Sequence, residues 1–356
     1  MSKNVPWLFQ NLPRSHQVVE TNALICDSPE SLVFGACFIR LRNIVPPHTI
    51  VLKLEGFSVT GSIKIKTAKF LLDEMERAGK LKPGARIIES SSGNLGIALS
   101  MLCAARGYGF VCISDPNIAT DAAKMIRAYN AELIIVKERD ANGGYLQTRL
   151  SVLRSMLARD PDLRWTNQYE NIANNDAHYA TTGPEILSAV VAPDYVFIGA
   201  GTTGTLGGVS QYLRERSPST KIIAVDSVGS VTFGGRPGRR KIPGLGSSTP
   251  PALRQYADFD DLVMIEEKKS IAMCRLMAQN GLLVGGSTGT VLQAVRTYAN
   301  HFHDQASVVA ISPDLGDRYL DTIFSDDWIL REFRDDKQSL PECETSIQQH
   351  AENRGD

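Results

Sequence analysis

Short β-branched segments alternate with helical patterns along most of the chain, and this alternation constrains the fold more than any other feature. Strands that are separated by helices usually pair in parallel, and a parallel sheet is covered by helices on both faces. The sequence therefore predicts an α/β protein with doubly wound, mostly parallel sheets. The predicted strands span residues 50–54, 86–89, 109–113, 133–136, 195–198, 222–225, 262–265 and 308–311, with helices at 63–78, 94–106, 119–129, 145–158, 184–191, 205–216, 269–280 and 289–300.

The 356 residues contain two such blocks of four strands, which predicts two domains. A smaller domain is expected over residues 50–167, and a larger one is expected to combine residues 1–49 with residues 168–334. Residues 335–356 are polar with few apolar anchors, so we expect a mobile tail. Residues 228–248 are rich in glycine and have no helical or strand period. A loop of this length in a compact domain is usually functional.

The composition excludes several classes of protein. The chain has 38 Lys and Arg against 39 Asp and Glu, so it lacks the bulk positive charge of a nucleic-acid binder. Its six cysteines are dispersed, and no Cys and His residues have the spacing of a metal site. The N-terminus has no signal-peptide pattern, and no apolar segment is long enough to span a membrane. We therefore expect a cytoplasmic protein with reduced thiols.

Lys64 is the first candidate for chemistry. It follows a strand and Ser62, a good N-cap residue, so it falls in the first turn of a predicted helix. The positive end of the helix dipole disfavours a cation at this place. A lysine there is expected to have a lowered pKa, as an amine that forms a Schiff base requires. The alternative is a solvated lysine beside Lys66 and Lys69.

Residues 90–94, SSSGN, lie where a strand turns into a helix. The hydroxyls, the amide and the flexible backbone form a turn rich in hydrogen-bond donors. Such a turn at the carboxyl edge of a parallel sheet suits a carboxylate or a phosphate. The alternative is a simple helix cap, which would need only one of the three serines.

Residues 199–205, GAGTTGT, open another predicted helix, and Asp226 lies at the end of the next strand. Taken literally, this is the glycine pattern of dinucleotide-binding proteins with its acidic partner, so an NAD-dependent oxidoreductase stays open as an alternative. The three threonines suit instead a single terminal phosphate, bound by hydroxyls and backbone N–H groups at a helix N-terminus.

A fourth segment, residues 285–289 (GGSTG), places another hydroxyl at a strand-to-helix junction. Alone it predicts only a helix N-cap. Together, the four segments occupy the same kind of strand end and can converge on one cleft between two sheets. A reactive lysine, an anion-binding turn, a monophosphate site and a further hydroxyl describe a pocket for pyridoxal 5′-phosphate.

The order of these segments resembles the β-family, or fold type II, of pyridoxal-phosphate enzymes, and the nearest groups are the cysteine synthases and cystathionine β-synthases. The resemblance covers residues 35–324. It includes residues 167–174 (NQYENIAN), 241–246 (KIPGLG) and 317–320 (DRYL). It implies two α/β domains like those of the tryptophan synthase β-subunit, bound pyridoxal 5′-phosphate, amino-acid substrates and a homodimer.

The resemblance also implies roles for individual residues. Lys64 is the expected catalytic residue, which would bind the cofactor covalently and move the α-proton of the substrate. Asn94 would hydrogen-bond the ring hydroxyl oxygen, and Ser287 would face the ring nitrogen. The substrate carboxylate would be bound by Ser91, Ser92, Gly93 and Gln168, and the cofactor phosphate by Thr202, Thr203, Gly204 and Thr205.

Departures from the cysteine-synthase pattern bear on the substrate. Leu95 stands where those enzymes carry a threonine, and Lys64 is followed by Ile-Lys where they carry Asp-Arg. The whole set of motifs resembles the N-(2-amino-2-carboxyethyl)-L-glutamate synthases, which make a precursor of 2,3-diaminopropionate for siderophores and antibiotics. This resemblance implies that O-phospho-L-serine and L-glutamate are joined through an aminoacrylate, with release of phosphate.

Two amino acids with several negative charges need cations in the cleft. Arg149 and Tyr169 are predicted to bind glutamate, since arginine can bind a carboxylate through two hydrogen bonds. The alternative for Arg149 is a solvated helix face. Further cations are available at Lys66 and in the 228–248 loop, which is predicted to close over the cleft.

Several other functions stay open at this stage. A cysteine synthase or a cystathionine β-synthase would use the same chemistry with a sulfur nucleophile. The remaining alternatives are a serine/threonine dehydratase, the NAD-dependent oxidoreductase and a binding protein that keeps the fold without catalysis.

Overall fold

The computed structural model of the chain describes residues 26–32, 35–140 and 143–333. The predictions for residues 1–25 and for the tail at 335–356 lie outside the described residues. In chain order, the strands are β1 (Phe38–Val45), β2 (His48–Leu54), β3 (Arg86–Ser90), β4 (Gly109–Ser114), β5 (Glu132–Ile135), β6 (Leu163–Trp165), β7 (Tyr195–Gly199), β8 (Lys221–Ser227), β9 (Asp261–Ile265) and β10 (Val308–Ser312).

Helices connect most of these strands, and each predicted helix is present with its bounds shifted by only a few residues. They are α1 (Lys64–Arg77), α2 (Asn94–Arg106), α3 (Thr120–Ala128), α4 (Leu146–Arg159), α5 (Ala173–Ala177), α6 (Gly183–Ala189), α7 (Gly204–Arg216), α8 (Glu267–Gln279), α9 (Gly286–Tyr298) and α10 (Asp326–Glu332). A π-helical turn, His178–Thr182, joins α5 to α6.

The strands form two sheets. The larger has the order β1-β2-β10-β7-β8-β9, in which only the β1–β2 pair is antiparallel. Successive residues of β7 point to opposite faces: Val196 packs with the α7 residue Leu206, whereas Phe197 packs with the α9 residue Val291. Helices therefore bury both faces of this sheet, as its continuous apolar strands require.

The smaller sheet has the order β5-β4-β3-β6 and is parallel throughout. Ile87 of β3 packs with residues of α1 and α2 on one face, and its neighbour Ile88 packs with Leu153 of α4 on the other. Both sheets are thus doubly wound, and the predicted fold class is confirmed. No helix of the described segments has both the length and the apolar character needed to cross a lipid bilayer.

One part of the predicted domain division is wrong. Residues 50–54 were assigned to the smaller domain, but β2 pairs in parallel with β10 in the larger sheet. The smaller sheet instead gains β6, a strand of only three residues that is too short to show an alternating pattern in the sequence. The remaining division of the chain into two domains stays a prediction.

Candidate active site

A cleft opens where parallel strands of the larger sheet end and the helices after them begin. It encloses an empty volume of about 560 Å³, which includes the solvent at its mouth. The cleft is lined by residues from the segments that follow strands of both sheets, as expected for a ligand site at the carboxyl edge of parallel strands. Six of the predicted site residues are in the lining, namely Lys64, Asn94, Thr202, Thr203, Thr205 and Ser287.

Lys64 is the first residue of α1 and projects into this cleft. The turn before it is held to the larger sheet, because the Ile63 N–H donates to the Pro313 carbonyl at 2.8 Å. Burial lowers the pKa of Lys64 to about 8, and the Asp314 carboxylate opposes this shift. The predicted lowering of the Lys64 pKa is confirmed, but its main cause is loss of solvent. A neutral amine is therefore more accessible at Lys64 than at a surface lysine.

The Thr202–Thr205 turn forms the N-terminus of α7. Thr203 has a left-handed backbone with φ of +66°, and no side chain caps the helix. The first amides of a helix have no partner within it and favour an anion. Thr202 and Thr205 line the cleft beside these amides. Gly204 does not line it, and a Cβ there would lie 2.3 Å from the Asn174 side chain. These donors fit a phosphate group.

Ser287 lies in the first turn of α9 and is buried. Its hydroxyl is 3.5 Å from the carboxylate of Asp314, a cleft residue that the sequence analysis missed. Asp314 is buried, and burial raises its pKa. Its sequence signal was an acidic residue three positions after a predicted strand of the parallel sheet, at the edge where ligands bind.

Asn94 is oriented from both sides by residues that follow β10. Its Nδ2 donates to Asp314 at 2.7 Å, and its Oδ1 accepts a hydrogen bond from Arg318. Arg318 also donates to the Thr60 carbonyl in the turn before Lys64. The amide of Asn94 is therefore fixed in one orientation at the cleft.

The serine turn, residues 90–94, supplies hydrogen bonds to the first amides of α2. Ser91 is buried, and its Oγ accepts hydrogen bonds from the N–H groups of Gly93 at 3.3 Å and Gly96 at 3.0 Å. Ser91 therefore satisfies two amides at the start of α2, although Gly93 and not a serine is the N-cap residue of this helix. Ser92 and Gly93 are partly exposed beside Asn94, and they stay candidates for binding the substrate carboxylate.

Gln168 is buried against this turn, where its Nε2 donates to the Ser90 carbonyl at 2.8 Å. Its backbone N–H donates to Glu89 at 3.1 Å, and Glu89 also accepts from Thr166 at 2.5 Å. Burial raises the pKa of the Glu89 carboxyl. Glu89, which the sequence analysis did not single out, thus anchors the Gln168 segment to β3.

Arg149 is only 7% exposed, so the solvated alternative for this residue is wrong. Its Nε lies 3.4 Å from the Asp115 carboxylate. Burial raises the pKa of Tyr169, and the charge of Arg149 lowers it, so these two predicted residues are close together. Neither belongs to the cleft lining. Their predicted contact with glutamate stays a prediction.

Two of the other predicted cations, Lys66 and Arg240, have partners within the protein. Lys66 is buried between Glu55 at 2.9 Å and Glu185 at 2.6 Å, so it is not available to a substrate. In the 228–248 loop, Arg240 donates to the Leu245 carbonyl at 2.7 Å. Leu245 and its neighbour Gly244 form part of the cleft wall, so this loop reaches the site.

Asp226 cannot act as the acidic partner of a dinucleotide. Its carboxylate is buried and accepts a hydrogen bond from the Ser227 N–H at 2.7 Å. The following loop supplies further hydroxyl partners from Ser230 and Thr232. The burial of Asp226 therefore argues against the NAD-dependent alternative. In the part of the chain that the structure describes, no three His, Cys, Asp or Glu side chains are grouped so that they could hold a metal.

The doubly wound sheets, a lysine in the cleft and a helix N-terminus with donors that fit a phosphate are the features expected of a pyridoxal-phosphate enzyme of the α/β class. Residues 35–314 match the family of pyridoxal-phosphate dependent enzymes, and the chain belongs to that family. Its cofactor is therefore pyridoxal 5′-phosphate, as predicted.

Several solved structures resemble the chain closely. O-ureido-L-serine synthase is 30% identical, with 86% of this chain and 100% of that chain covered and a TM-score of 0.78. An O-acetylserine dependent cystathionine β-synthase from Helicobacter pylori is 28% identical over 84% and 99% of the two chains, with a TM-score of 0.77. A hydrogen sulfide-producing enzyme from Fusobacterium nucleatum is 29% identical over 83% and 100%, with a TM-score of 0.78. The chain is thus one of the enzymes of β-replacement or elimination.

Proposed function

We propose that the protein joins O-phospho-L-serine and L-glutamate to give N-(2-amino-2-carboxyethyl)-L-glutamate and phosphate. The bond between Cβ and the phosphate oxygen breaks, and the amine of glutamate forms a new bond to Cβ. Pyridoxal 5′-phosphate, when bound, supplies the electron sink for this β-replacement. The product would serve the formation of 2,3-diaminopropionate.

The roles of the site residues are part of this proposal. Lys64 binds the cofactor and moves the α-proton, for which its lowered pKa is suited. Thr202 to Thr205 hold the phosphate, Asn94 the ring hydroxyl and Ser287 the ring nitrogen. Ser287 is a hydroxyl and not a carboxylate, so it leaves the ring nitrogen largely unprotonated. This favours elimination at Cβ over deeper carbanion chemistry. Ser91, Ser92, Gly93 and Gln168 surround the substrate carboxylate.

The observation that supports a phosphorylated and a dicarboxylic substrate is the charge of the 228–248 loop. It contains Arg236, Arg239, Arg240 and Lys241 and no acidic residue. Acidic residues outside the loop offset part of this charge, since Glu332 lies 3.4 Å from Arg239, and Asp226 and Glu267 act on Arg240. Two of the residues of the loop form cleft wall. Phosphoserine and glutamate carry several negative charges, and a cationic loop beside the cleft would raise their local concentration. The charge of the loop would raise the local concentration of sulfide far less.

A sulfur nucleophile is the second candidate. The similar structures include an O-acetylserine dependent cystathionine β-synthase and a hydrogen sulfide-producing enzyme. In that case the protein would be a cysteine synthase or a cystathionine β-synthase. A serine/threonine dehydratase would need no nucleophile at all.

The deciding experiment incubates the purified holoenzyme with O-phospho-L-serine or O-acetyl-L-serine. Glutamate, sulfide, homocysteine or no second substrate is added to each. Mass spectrometry identifies the product, and phosphate release is measured in parallel. The proposal expects N-(2-amino-2-carboxyethyl)-L-glutamate from phosphoserine and glutamate alone, with no product from Lys64→Ala. Cysteine or cystathionine as the main product would establish the second candidate, and pyruvate without a nucleophile would indicate the dehydratase.

The charge argument has its own test in two matched variants. Arg239→Gln removes an exposed cation of the loop, and Arg216→Gln removes an exposed cation from the far end of α7. The 13 residues of α7 span about 20 Å, so Arg216 is remote from the cleft. The expected result is a higher KM for phosphoserine in the first variant only. Equal KM values would contradict the role of the loop.

Arg149 requires a variant that does not leave Asp115 as an unpaired buried charge. The double variant Arg149→Gln with Asp115→Asn removes both members of the pair. If Arg149 and Tyr169 bind glutamate, this variant loses product formation while single-turnover phosphate release persists. The single variant Asp115→Asn is the control and should bind glutamate at least as well as the original protein. Unchanged glutamate KM in the double variant would remove Arg149 from the site.

We also propose that the enzyme acts as a cytoplasmic homodimer, as its resemblance to the cysteine synthases implies. Light scattering of the purified holoenzyme tests the dimer, with the 38.9 kDa chain mass as the reference for a monomer.

A further inference from the structure

A buried polar network lies directly beneath the Thr202–Thr205 turn. It contains His178 and Asn174, and both side chains are completely buried. His178 Nε2 is 3.1 Å from the Thr205 hydroxyl, and Asn174 Nδ2 donates to the Thr202 hydroxyl at 3.0 Å. The network therefore contacts both threonines from behind the proposed phosphate site.

The orientation of the Asn174 amide is set by a backbone carbonyl. Its Nδ2 donates to the Gln168 carbonyl at 2.9 Å, and a carbonyl can only accept. Its Oδ1 therefore faces the Thr67 hydroxyl at 3.1 Å, and Thr67 must donate its one proton there. Thr202, on the Nδ2 side, can only accept from Asn174.

The tautomer of His178 follows from Thr67. The Thr67 hydroxyl also lies 3.2 Å from His178 Nε2, and its proton is already donated to Asn174. His178 Nε2 must therefore carry the proton and donate it. The same nitrogen faces Thr205, so its N–H is shared between the two hydroxyl oxygens.

The hydrogen bonds on the opposite side of the ring are compatible with the same tautomer. The Lys66 ammonium has donors only, and one of them reaches the Thr182 hydroxyl at 3.4 Å. Thr182 is then free to donate its own proton to His178 Nδ1 at 3.0 Å. Burial and the charges of Lys64, Lys66 and Lys53 all lower the pKa of His178, so the ring is neutral and Nδ1 accepts.

We propose that His178 and Asn174 are positioning residues that direct the hydroxyl protons of Thr205 and Thr202 into the cleft. Each threonine oxygen accepts a hydrogen bond from Asn174 or His178 in the protein interior. The one hydroxyl proton of each threonine therefore stays available for the cofactor phosphate. A phosphate has acceptors only, and hydroxyls turned towards it as donors are what it requires. This inference rests on the proposed binding of phosphate by residues 202–205, and it does not depend on which nucleophile the enzyme uses.

The first test observes the proton directly. Two-dimensional ¹⁵N–¹H NMR of the full-length holoenzyme shows which ring nitrogen of each histidine is protonated, and His178→Gln assigns the signal among the six histidines. The expected result is a neutral ring protonated at Nε2 at pH 7. A proton on Nδ1, or a doubly protonated ring, would overturn the proposal.

The second test compares two ligands of the apoprotein that differ only in the phosphate. His178→Phe should weaken binding of pyridoxal 5′-phosphate by about 10- to 100-fold, the effect of one hydrogen bond to a charged acceptor. It should leave the affinity for pyridoxal unchanged. Thr205→Val should weaken binding of pyridoxal 5′-phosphate by a similar factor. The double variant of His178 and Thr205 should bind no more weakly than either single variant, because each removes the same hydrogen bond between these residues.

A conservative variant separates positioning from general stability. In His178→Gln the amide can still donate towards Thr205, so affinity for pyridoxal 5′-phosphate should largely return. Should His178→Phe fail to fold, which its circular dichroism would reveal, the pair Thr205→Val and Thr205→Ser carries the comparison. Equal losses for pyridoxal and its phosphate, or full additivity of His178 and Thr205, would contradict the proposal.

Discussion

The Asp314 carboxylate accepts a hydrogen bond from the Asn94 side-chain amide at 2.7 Å, although the two residues are 220 positions apart. Asn94 begins α2, which packs on the smaller sheet, and Asp314 follows the central strand β10 of the larger one. Asp314 also lies near Ser287 and influences the charge of Lys64. A single buried carboxylate thus contacts or affects three of the residues proposed to bind the cofactor.

The reactivity of Lys64 should depend on pH with a midpoint near 8. An amine reacts with an aldehyde in its neutral form, and burial lowers the Lys64 pKa from 10.5 to about 8. The rate at which Lys64 of the apoprotein reacts with the cofactor aldehyde should therefore rise from pH 7 to 9 and then level off. Stopped-flow absorbance measures this rate, and Lys64→Ala supplies the background. A rate still rising steeply above pH 9.5 would contradict the lowered pKa of Lys64.

Asp314→Asn should move this midpoint to lower pH. The negative charge of Asp314 favours the protonated lysine and so raises the Lys64 pKa, against the larger effect of burial. Removal of the charge leaves burial unopposed. The same stopped-flow series measures the effect, with Asp317→Asn as the control, because Asp317 is exposed and lies three positions further along. A midpoint unchanged in Asp314→Asn would mean that this carboxyl is protonated over the whole range.

Glu89→Gln should destabilise the protein by about 2–3 kcal/mol, the cost of leaving buried donors without an acceptor. The carboxylate accepts from Ser90, Thr166 and Gln168, and an amide would turn one N–H towards a backbone N–H. Urea unfolding measures the loss. The exposed Glu138→Gln should change the free energy of unfolding by less than about 0.5 kcal/mol. A weaker affinity for the amino-acid substrate should accompany the loss, since Gln168 is anchored by Glu89.

Lys66→Met and Lys69→Met compare the same substitution on one helix. Lys66 is buried and pairs with Glu55 and Glu185, so its removal leaves carboxylates short of a partner and should cost about 3–5 kcal/mol. Lys69 is 37% exposed and pairs with Asp73 one turn along, so its removal should cost no more than about 1 kcal/mol. Thermal or urea unfolding measures the loss of stability in each variant. Similar values for the two variants would contradict a structural role for the buried pair.

The sequence by itself determined the elements of this protein. Alternating apolar segments and helical periods are local patterns, and they predicted the doubly wound class together with nearly every strand and helix of both sheets. The segments around Lys64, Asn94 and Thr202 were also local, because each follows a strand where the backbone must turn. The expected strand before Ser287 is wrong, since α9 follows α8 with only an isolated bridge at Val284 between them.

Only the tertiary structure decided how these elements meet. It placed β2 in the larger sheet. Each residue of β2 pairs with a β10 residue 258 positions further along, and no local pattern encodes that choice. It also buried Arg149 against Asp115 and Lys66 between two glutamates, where the sequence indicated only available cations. The places of Asp314 and His178 at the site also emerged only from the tertiary structure. The charge and hydrogen-bonding state of a side chain depend on what packs around it, and in this fold the partners come from distant parts of the chain.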